Sequence, residues 1–269
     1  MKILLNNNDL IEALNYTQNL GFVPTMGCLH NGHISLIKKS QRVCNRTIVS
    51  IFINPTQFNN KNDYKNYPRN IKKDLSILRK LKVDYVYLPK KKDIYDSNNK
   101  FKFKLDKKDK ILCAKHRKGH FEGVINIMNR LTEKINPHRV FMGEKDFQQL
   151  YLVKKYLKKY KHRIISCKTI REKNFVALSS RNLNLKNKEF NKAGLIAKNL
   201  FYFKKSLSHE NNLDKLLKEK KIQLTKIHNI KIDYLELRNL NNLKKSNKIN
   251  NSKLFIAYYL KKIRLIDNF

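Results

Sequence analysis

Two histidines three residues apart, His30 and His33, close the segment Pro24-Thr-Met-Gly-Cys-Leu-His-Asn-Gly-His33. A strand-like run enters a Gly-containing turn there, and a helix-like pattern leaves it. A helix start offers unsatisfied N–H groups and the positive end of its dipole, which attract anions. Gly27 and Gly32 let backbone come close to a ligand, and the imidazoles can donate to a phosphoryl group or carry charge beside it. The chemistry this suggests is phosphate binding. Ordinary helix-start residues, or metal ligands on one helix face, remain alternatives, although no acidic third ligand is near in sequence. Asn54-Pro55-Thr56-Gln57-Phe58 follows a strand-like run. It puts Gln57, both donor and acceptor, where a hydroxy acid could be held; an exposed turn amide is the plainer reading. Gly143-Glu-Lys-Asp-Phe-Gln-Gln149 also ends a short strand and opens a helix. Lys145 can neutralise a triphosphate, Asp146 can hold ribose hydroxyls and Gln149 can face the cavity of Gln57; a capped, charged helix start is the plainer reading. Ala177-Leu-Ser-Ser-Arg181 offers two hydroxyls and a guanidinium that could clamp phosphates from a loop, although the short segment carries little by itself.

The elements that must position these residues follow from apolar periodicity. Gly21–Pro24 reads as a strand end. Ile34, Leu36, Ile37, Val43 and Cys44 share one side of a helix over His33–Cys44, opposite Lys38, Lys39 and Arg42. Thr47–Ile53 is β-branched and almost continuously apolar, as a strand covered on both faces should be. A helix over Asn70–Leu81, with Ile71, Leu75 and Leu78 inward, precedes a strand at Asp84–Leu88. Val124, Met128, Leu131 and Ile135 mark another helix. Then come a strand at Arg139–Met142, a helix at Phe147–Lys159 and a strand at Arg163–Thr169. This alternation predicts an α/β fold with a Rossmann-like parallel sheet, helices on both faces, and ligands at the carboxyl ends of the strands. Beyond Thr169 two Lys-rich helices (Lys188–Leu207, Leu213–Ile227) and strands at Lys231–Arg238, Lys253–Leu260 and Ile263–Ile266 predict a smaller α+β domain. The expected division is 1–169 and 170–269. Lys90–Lys110 and Asn239–Asn251 read as exposed loops.

Composition narrows the class. At 269 residues the chain can bury a core without disulfides. Cys28, Cys44, Cys113 and Cys167 lack any C-x-x-C spacing, which gives neither a zinc site nor a disulfide framework. A reduced, cytoplasmic location is expected. No run approaches the roughly 20 apolar residues of a membrane span, and Met1–Asn19 has no uninterrupted apolar core for export. The formal net charge of +38, from 59 Lys+Arg against 21 Asp+Glu, invites a nucleic-acid reading. The lysines are dispersed from Lys2 to Lys262, and Arg, the better base-edge fork, is scarce. Nucleic acid is therefore not the expected partner, and a surface drifted toward Lys and Asn is the expected origin of the charge.

Taken in order, PTMGCLHNGH, SIFINPTQF, YPRNIKKDL, GHFEGV, GEKDFQQL, ALSSRN, IDYLELRN and RLIDN resemble the successive landmarks of the pantothenate synthetase family. The resemblance runs from about residue 20 onward. His-x-Gly-His alone marks the wider nucleotidyltransferase superfamily, whereas NPTQF and GEKDFQQ narrow it. The resemblance implies a Rossmann-like domain, a C-terminal lid domain and a homodimer. It implies an ATP-dependent ligase, working with magnesium, that converts pantoate to pantoyl adenylate with release of pyrophosphate. The β-alanine amine then displaces AMP to give pantothenate. By motif match, Met26, Gly27, Cys28, Leu29, His30, Asn31, Gly32 and His33 would bind ATP. So would Gly143, Glu144, Lys145, Asp146, Ile170, Leu178, Ser179, Ser180 and Arg181. Gln57 and Gln149 would hold pantoate, Gln57 also lying near β-alanine, and His33 and Lys145 would be catalytic.

Two departures stand out. The family often has Gly-Ala-Ser-Arg-Pro before GHF, where this chain has Ala114-Lys-His-Arg-Lys118. Its usual Asp-Gly ahead of ALSSR is Asn174-Phe175 here. A nucleic-acid-binding protein, another adenylyltransferase of the superfamily and a degraded remnant of the same fold are the competing expectations.

Overall fold

The computed structural model describes residues 1–59, 61–95, 103–207 and 212–269, which group into two compact units. The first comprises Met1–Glu144 and Gln149–Lys168. Its strands are β1 (Lys2–Leu4), β2 (Leu20–Thr25), β3 (Arg46–Ile51), β4 (Tyr85–Tyr87), β5 (Arg139–Gly143) and β6 (Ile164–Cys167). Between them run α1 (Asn7–Leu14), α2 (Asn31–Val43), α3 (Lys61–Lys65), α4 (Ile71–Lys80), α5 (Lys91–Ile94), α6 (Leu112–His116), α7 (His120–Ile135) and α8 (Phe147–Tyr156).

All six strands are parallel, in the order β1-β4-β3-β2-β5-β6. From β2 the chain builds outward through β3 and β4 on one side, and later through β5 and β6 on the other. That reversal makes the crevice beyond the carboxyl ends of β2 and β5 a topological switch point, where such sheets bind ligands. Successive residues of a strand face opposite sides. Phe22 and Val23, like Ile48 and Val49, are fully buried, so both faces of the sheet are covered. Val23, Val49, Val86 and Phe141 share a core with Leu36 and Ile37 of α2 and Leu78 of α4. The predicted amphipathic face of α2 is thus inward, with Lys38, Lys39 and Arg42 exposed.

Several expectations shift. In α4, whose start is capped by the Asn70 side chain accepting from the Lys73 N–H, Ile71 is exposed and the inward slot belongs to Asp74. Strand β3 stops at Ile51 because Asn54 and Pro55 turn the chain, and α8 gives way to 3-10 turns after Tyr156. The predicted loop at Lys90–Lys110 carries α5, with Ile94 and Asp93 buried, and a 3-10 turn that buries Asp109. Tyr156 Oη donates to that carboxylate at 2.6 Å, which Lys155 also contacts. Residues 96–102 of that stretch lie outside the described residues. In Asn239–Asn251, Leu243 is buried and its carbonyl accepts from Arg238. Strand β1 and helix α1 were not legible, being short and weakly patterned.

The second unit comprises Lys145–Gln148 and Thr169–Phe269. Helices α9 (Asn187–Ser206) and α10 (Leu213–His228) share a core with an antiparallel sheet of β7 (Lys231–Asn239), β8 (Ser252–Leu260) and β9 (Ile263–Asn268). Ile196 and Leu200 of α9 meet Leu254 and Ile256 of β8 in that core.

Burial pushes the Cys44 and Cys167 thiols above their ordinary value near 9.0, with Arg139 opposing at Cys44 and Lys39 opposing at Cys167. A raised folded value favours the neutral thiol. Its contribution to stability is complete below the unfolded value and lost as pH rises through the folded one. Both thiols are therefore expected to alkylate more slowly in the native protein than in urea at pH about 8, because the thiolate is the nucleophile. Equal rates, read by peptide mass spectrometry, would contradict this.

Candidate active site

The segment after β2 is a tight, pinned cradle. Thr25 Oγ1 donates to the Ser50 carbonyl at 2.8 Å and accepts the Gly27 N–H at 3.1 Å. Gly27 (φ 80°) and Cys28 (φ 54°) are both left-handed. A Cβ on Gly27 would lie 2.9 Å from Asp74 Oδ2 and 3.0 Å from Ile51 Cγ2, so conformation and space both call for glycine. The buried Asp74 carboxylate accepts the Cys28 N–H through Oδ2 and the Leu29 N–H through Oδ1, each at 2.8 Å. One side chain of α4 thus fixes the turn that leads into α2.

At the start of α2, His30 is the N-cap, in an extended conformation. Its Nδ1 accepts the Gly32 N–H at 3.1 Å, while Nδ1 of His33 accepts the His30 N–H at 3.3 Å. The two rings pack with centroids 4.1 Å apart and planes tilted by 36°. A neutral imidazole that accepts at Nδ1 carries its proton on Nε2. Both rings therefore present Nε2–H donors, a set suited to phosphate oxygens. A metal ligand needs a ring lone pair, and these tautomers commit theirs to the helix cap. Among the described residues no group of three His, Cys, Asp or Glu side chains could hold a metal ion.

After β3, Asn54 caps the 3-10 turn Pro55–Gln57. Asn54 is 1% exposed. Its Oδ1 accepts from the Thr56 N–H and from Tyr95 Oη, and its Nδ2 donates to Gln57 Oε1 at 3.3 Å and to the Gly123 carbonyl at 3.1 Å. Gln57 Nε2 donates to Met26 Sδ at 2.7 Å. This contact joins the Gln57 carboxamide to the turn that follows β2. Gly123 of α7 lets the two elements approach, since a Cβ there would lie 2.4 Å from the Thr56 carbonyl oxygen.

Gly143 ends β5, the strand beside β2 across the switch point, Glu144 opens the 3-10 turn that follows, and Gln149 is half-buried on α8. The remaining predicted residues fall in the second unit. Lys145 pairs with Asp146 at 3.3 Å, and its carbonyl accepts from Asn268 Nδ2 at 2.8 Å. Ile170 and Leu178 face each other across a hairpin, the Leu178 N–H donating to the Ile170 carbonyl at 3.0 Å. Ser179 caps the 3-10 turn Ser180–Asn184 that carries Arg181, accepting the Arg181 N–H at 3.3 Å. Arg171 braces this hairpin, donating to the Phe175 carbonyl and forking onto Asp267 at 2.7 and 2.9 Å. Phe175 stands where the resemblance places glycine, and it keeps a left-handed φ of 74°. Its ring packs on Phe201 at 5.2 Å.

Asp74, Asn54, His120 and Asn268 went unassigned in the sequence. They lie inside the quoted landmarks, but their partners are distant in the chain and no spacing announces them.

A parallel sheet whose switch-point loop opens a helix with paired imidazole donors defines a nucleotide-binding α/β protein. A family model described as Pantoate-beta-alanine ligase matches residues 3–269. The pantothenate synthetase of Francisella philomiragia is 40% identical over 265 residues, covering 97% of this chain and 93% of that protein. The pantoate-β-alanine ligase structure from Thermus thermophilus superposes with a TM-score of 0.93 at 28% identity, over 100% of this chain and 99% of that one. One from Francisella tularensis, complexed with beta-gamma ATP and beta-alanine, gives a TM-score of 0.84 at 37% identity, over 100% and 97%. The chain belongs to the pantoate–β-alanine ligase family. Its activity is the ATP-dependent ligation of pantoate and β-alanine in pantothenate biosynthesis. Among the described residues, no helix is long and apolar enough to cross a membrane.

Proposed function

We propose that the ligation runs through pantoyl adenylate. The pantoate carboxylate attacks the α-phosphorus of ATP and pyrophosphate leaves. The neutral amine of β-alanine then attacks the acyl carbon, AMP leaves with the acyl bond's electrons, and the amine's proton passes to solvent. A carboxylate needs no general base, so alignment and charge stabilisation dominate the first step. The reading is carried by the paired capping of α2, which commits His30 and His33 to Nε2–H donors at a helix start. Those donors suit the phosphoryl oxygens where negative charge develops. Gln57 and Gln149 hold pantoate, and Lys145, Ser179, Ser180 and Arg181 receive the outer phosphates. Closure of the Ser179–Arg181 turn keeps water from the adenylate.

Magnesium enters with ATP in this proposal. The Nε2–H donors of His30 and His33 suit phosphate oxygens and, as donors, do not ligate a cation, and magnesium usually keeps phosphate and water ligands with few protein carboxylates. Homodimeric assembly and a cytoplasmic setting complete the proposal on the strength of the family likeness. Sedimentation velocity at about 10 μM and 1 μM would show a dimer, and a monomer at both would remove that part.

Pantoate-dependent exchange of labelled pyrophosphate into ATP, without β-alanine, tests the intermediate. Exchange is expected only when pantoate is present, and AMP should accumulate catalytically only after β-alanine is added. Full ligation without exchange would point to a concerted route. In the same assay His33→Ala is expected to lose about a hundredfold or more in exchange, typical of removing one preorganised donor. A folded variant with near-normal exchange would exclude the role given to His33.

A further inference from the structure

His120 opens α7 and is 7% exposed. Its Nε2 lies 2.8 Å from Arg117 Nη1, and its Nδ1 lies 2.6 Å from the Gln57 carbonyl oxygen. A guanidinium only donates, so Nε2 must accept and the ring proton must sit on Nδ1. The ring therefore donates to the Gln57 carbonyl. This is the opposite tautomer from that of His30 and His33, and Arg117 dictates it.

The contact is directed at one residue. Gln57 Oε1 takes an N–H from Asn54 and Gln57 Nε2 gives one to Met26, so neighbouring side chains set the carboxamide plane. The backbone of the same residue is held from the first turn of α7. There Gly123 admits the Thr56–Gln57 peptide at close range, and His120 grips its carbonyl. With one N–H and one lone pair of the carboxamide engaged by protein, the others are left to recognise a ligand.

We propose that His120, held by Arg117 as the Nδ1–H tautomer, is a positioning residue that aims Gln57 at pantoate. The inference rests on the reading of Gln57 given above. A small displacement of a positioning group costs binding out of proportion to its size. Lys118, which departs from the family pattern beside Arg117, does not break this link: the Arg117–His120 contact is present.

Two isosteric variants separate positioning from simple packing. Asn places its amide N–H near the ring's Nδ1, so His120→Asn can keep the bond to the Gln57 carbonyl. Gln mimics Nε2 instead, so His120→Gln cannot. The expected result is a pantoate KM within about threefold of the parent for His120→Asn. For His120→Gln it should rise about tenfold or more, roughly 1.4 kcal/mol, with the ATP KM unchanged in both. Equal impairment of the two variants, no change in either, or a parallel rise in the ATP KM would overturn the proposal. Should His120→Gln fail to fold, Arg117→Met, which frees the tautomer, is expected to raise the pantoate KM alone. Nitrogen NMR of the labelled imidazole reads the tautomer directly in the parent protein, and an Nε2–H resonance for His120 would overturn the relay whatever Gln57 does. Gln57→Ala tests the underlying reading by itself: an unchanged pantoate KM there, with the Nδ1–H tautomer observed, would dismiss the role of Gln57 and with it the aim of the relay.

Discussion

Lys145→Ala is expected to slow pantoate-dependent adenylation by about a hundred- to a thousandfold, the usual cost of losing one charge placed where a transition state needs it. The side chain is built to be held. Its own carbonyl accepts from Asn268, its ammonium pairs with Asp146, and nearby Phe147 packs on Phe255 at 5.9 Å. The Lys145 side chain is 17% exposed against 46% for Asp146, so the pair is partly shielded and orients the ammonium more than it stabilises the fold. Melting temperature should therefore move little while the rate collapses. Lys145→Arg is expected to recover only a small part, because a planar fork cannot occupy the place of a compact ammonium. Single-turnover quench experiments with saturating ATP and pantoate isolate the step. A variant within about fivefold of the parent would remove Lys145 from the chemistry.

Asp74→Asn is the second large effect, and it strikes binding and stability together. The two carboxylate oxygens accept from two consecutive N–H groups, Cys28 and Leu29. An amide can serve only one of them and turns an NH2 toward the other. A buried donor left without an acceptor costs about 1–3 kcal/mol. For a domain of this size that lowers the melting temperature by roughly 2–12 °C. The cradle should then lose its left-handed turn at Gly27–Cys28. ATP protects the parent against heating in proportion to RT ln(1 + [L]/Kd), and this protection is expected to shrink sharply in the variant. Differential scanning fluorimetry with and without ATP measures both. A normal melting point and a normal ATP shift together would mean that the turn stands without Asp74.

The contrast between Lys145 and Asp74 shows what a single chain of letters can convey. Lys145 lies in a 3-10 turn directly after a recognisable strand, so strand position and residue type nominate it as a candidate. Asp74 sits one turn beyond Ile71, the apolar residue that periodicity assigns to the inward face and that instead points to solvent. Its partners are 46 and 45 residues away. The fold's alternation of β-branched runs and amphipathic stretches was legible for the same reason as Lys145, because each signal is local. Bounds slipped by a few residues where turns decided them, as at Asn54-Pro55 after β3. The run Lys90–Lys110 reads as a loop because lysines crowd it and no helical or long strand pattern emerges, yet Ile94 and Leu105 are buried. The grouping of Lys145–Gln148 with the second unit has no sequence signature either, since it arises from contacts with β8 and β9 near the other end of the chain.

The hairpin between Ile170 and Leu178 has a consequence for suppleness. A glycine in its tight turn would visit left-handed and right-handed conformers at nearly equal energy. Phe175 adopts the left-handed form at a cost of about 1–2 kcal/mol. Its ring rests on Phe201 and Tyr202 of α9, and Arg171 secures its carbonyl. The turn therefore works as a latch with one comfortable setting. A left-handed φ, a ring seated on α9 and a carbonyl held by Arg171 all act on this one residue, so the hairpin carries its bracing at its tip.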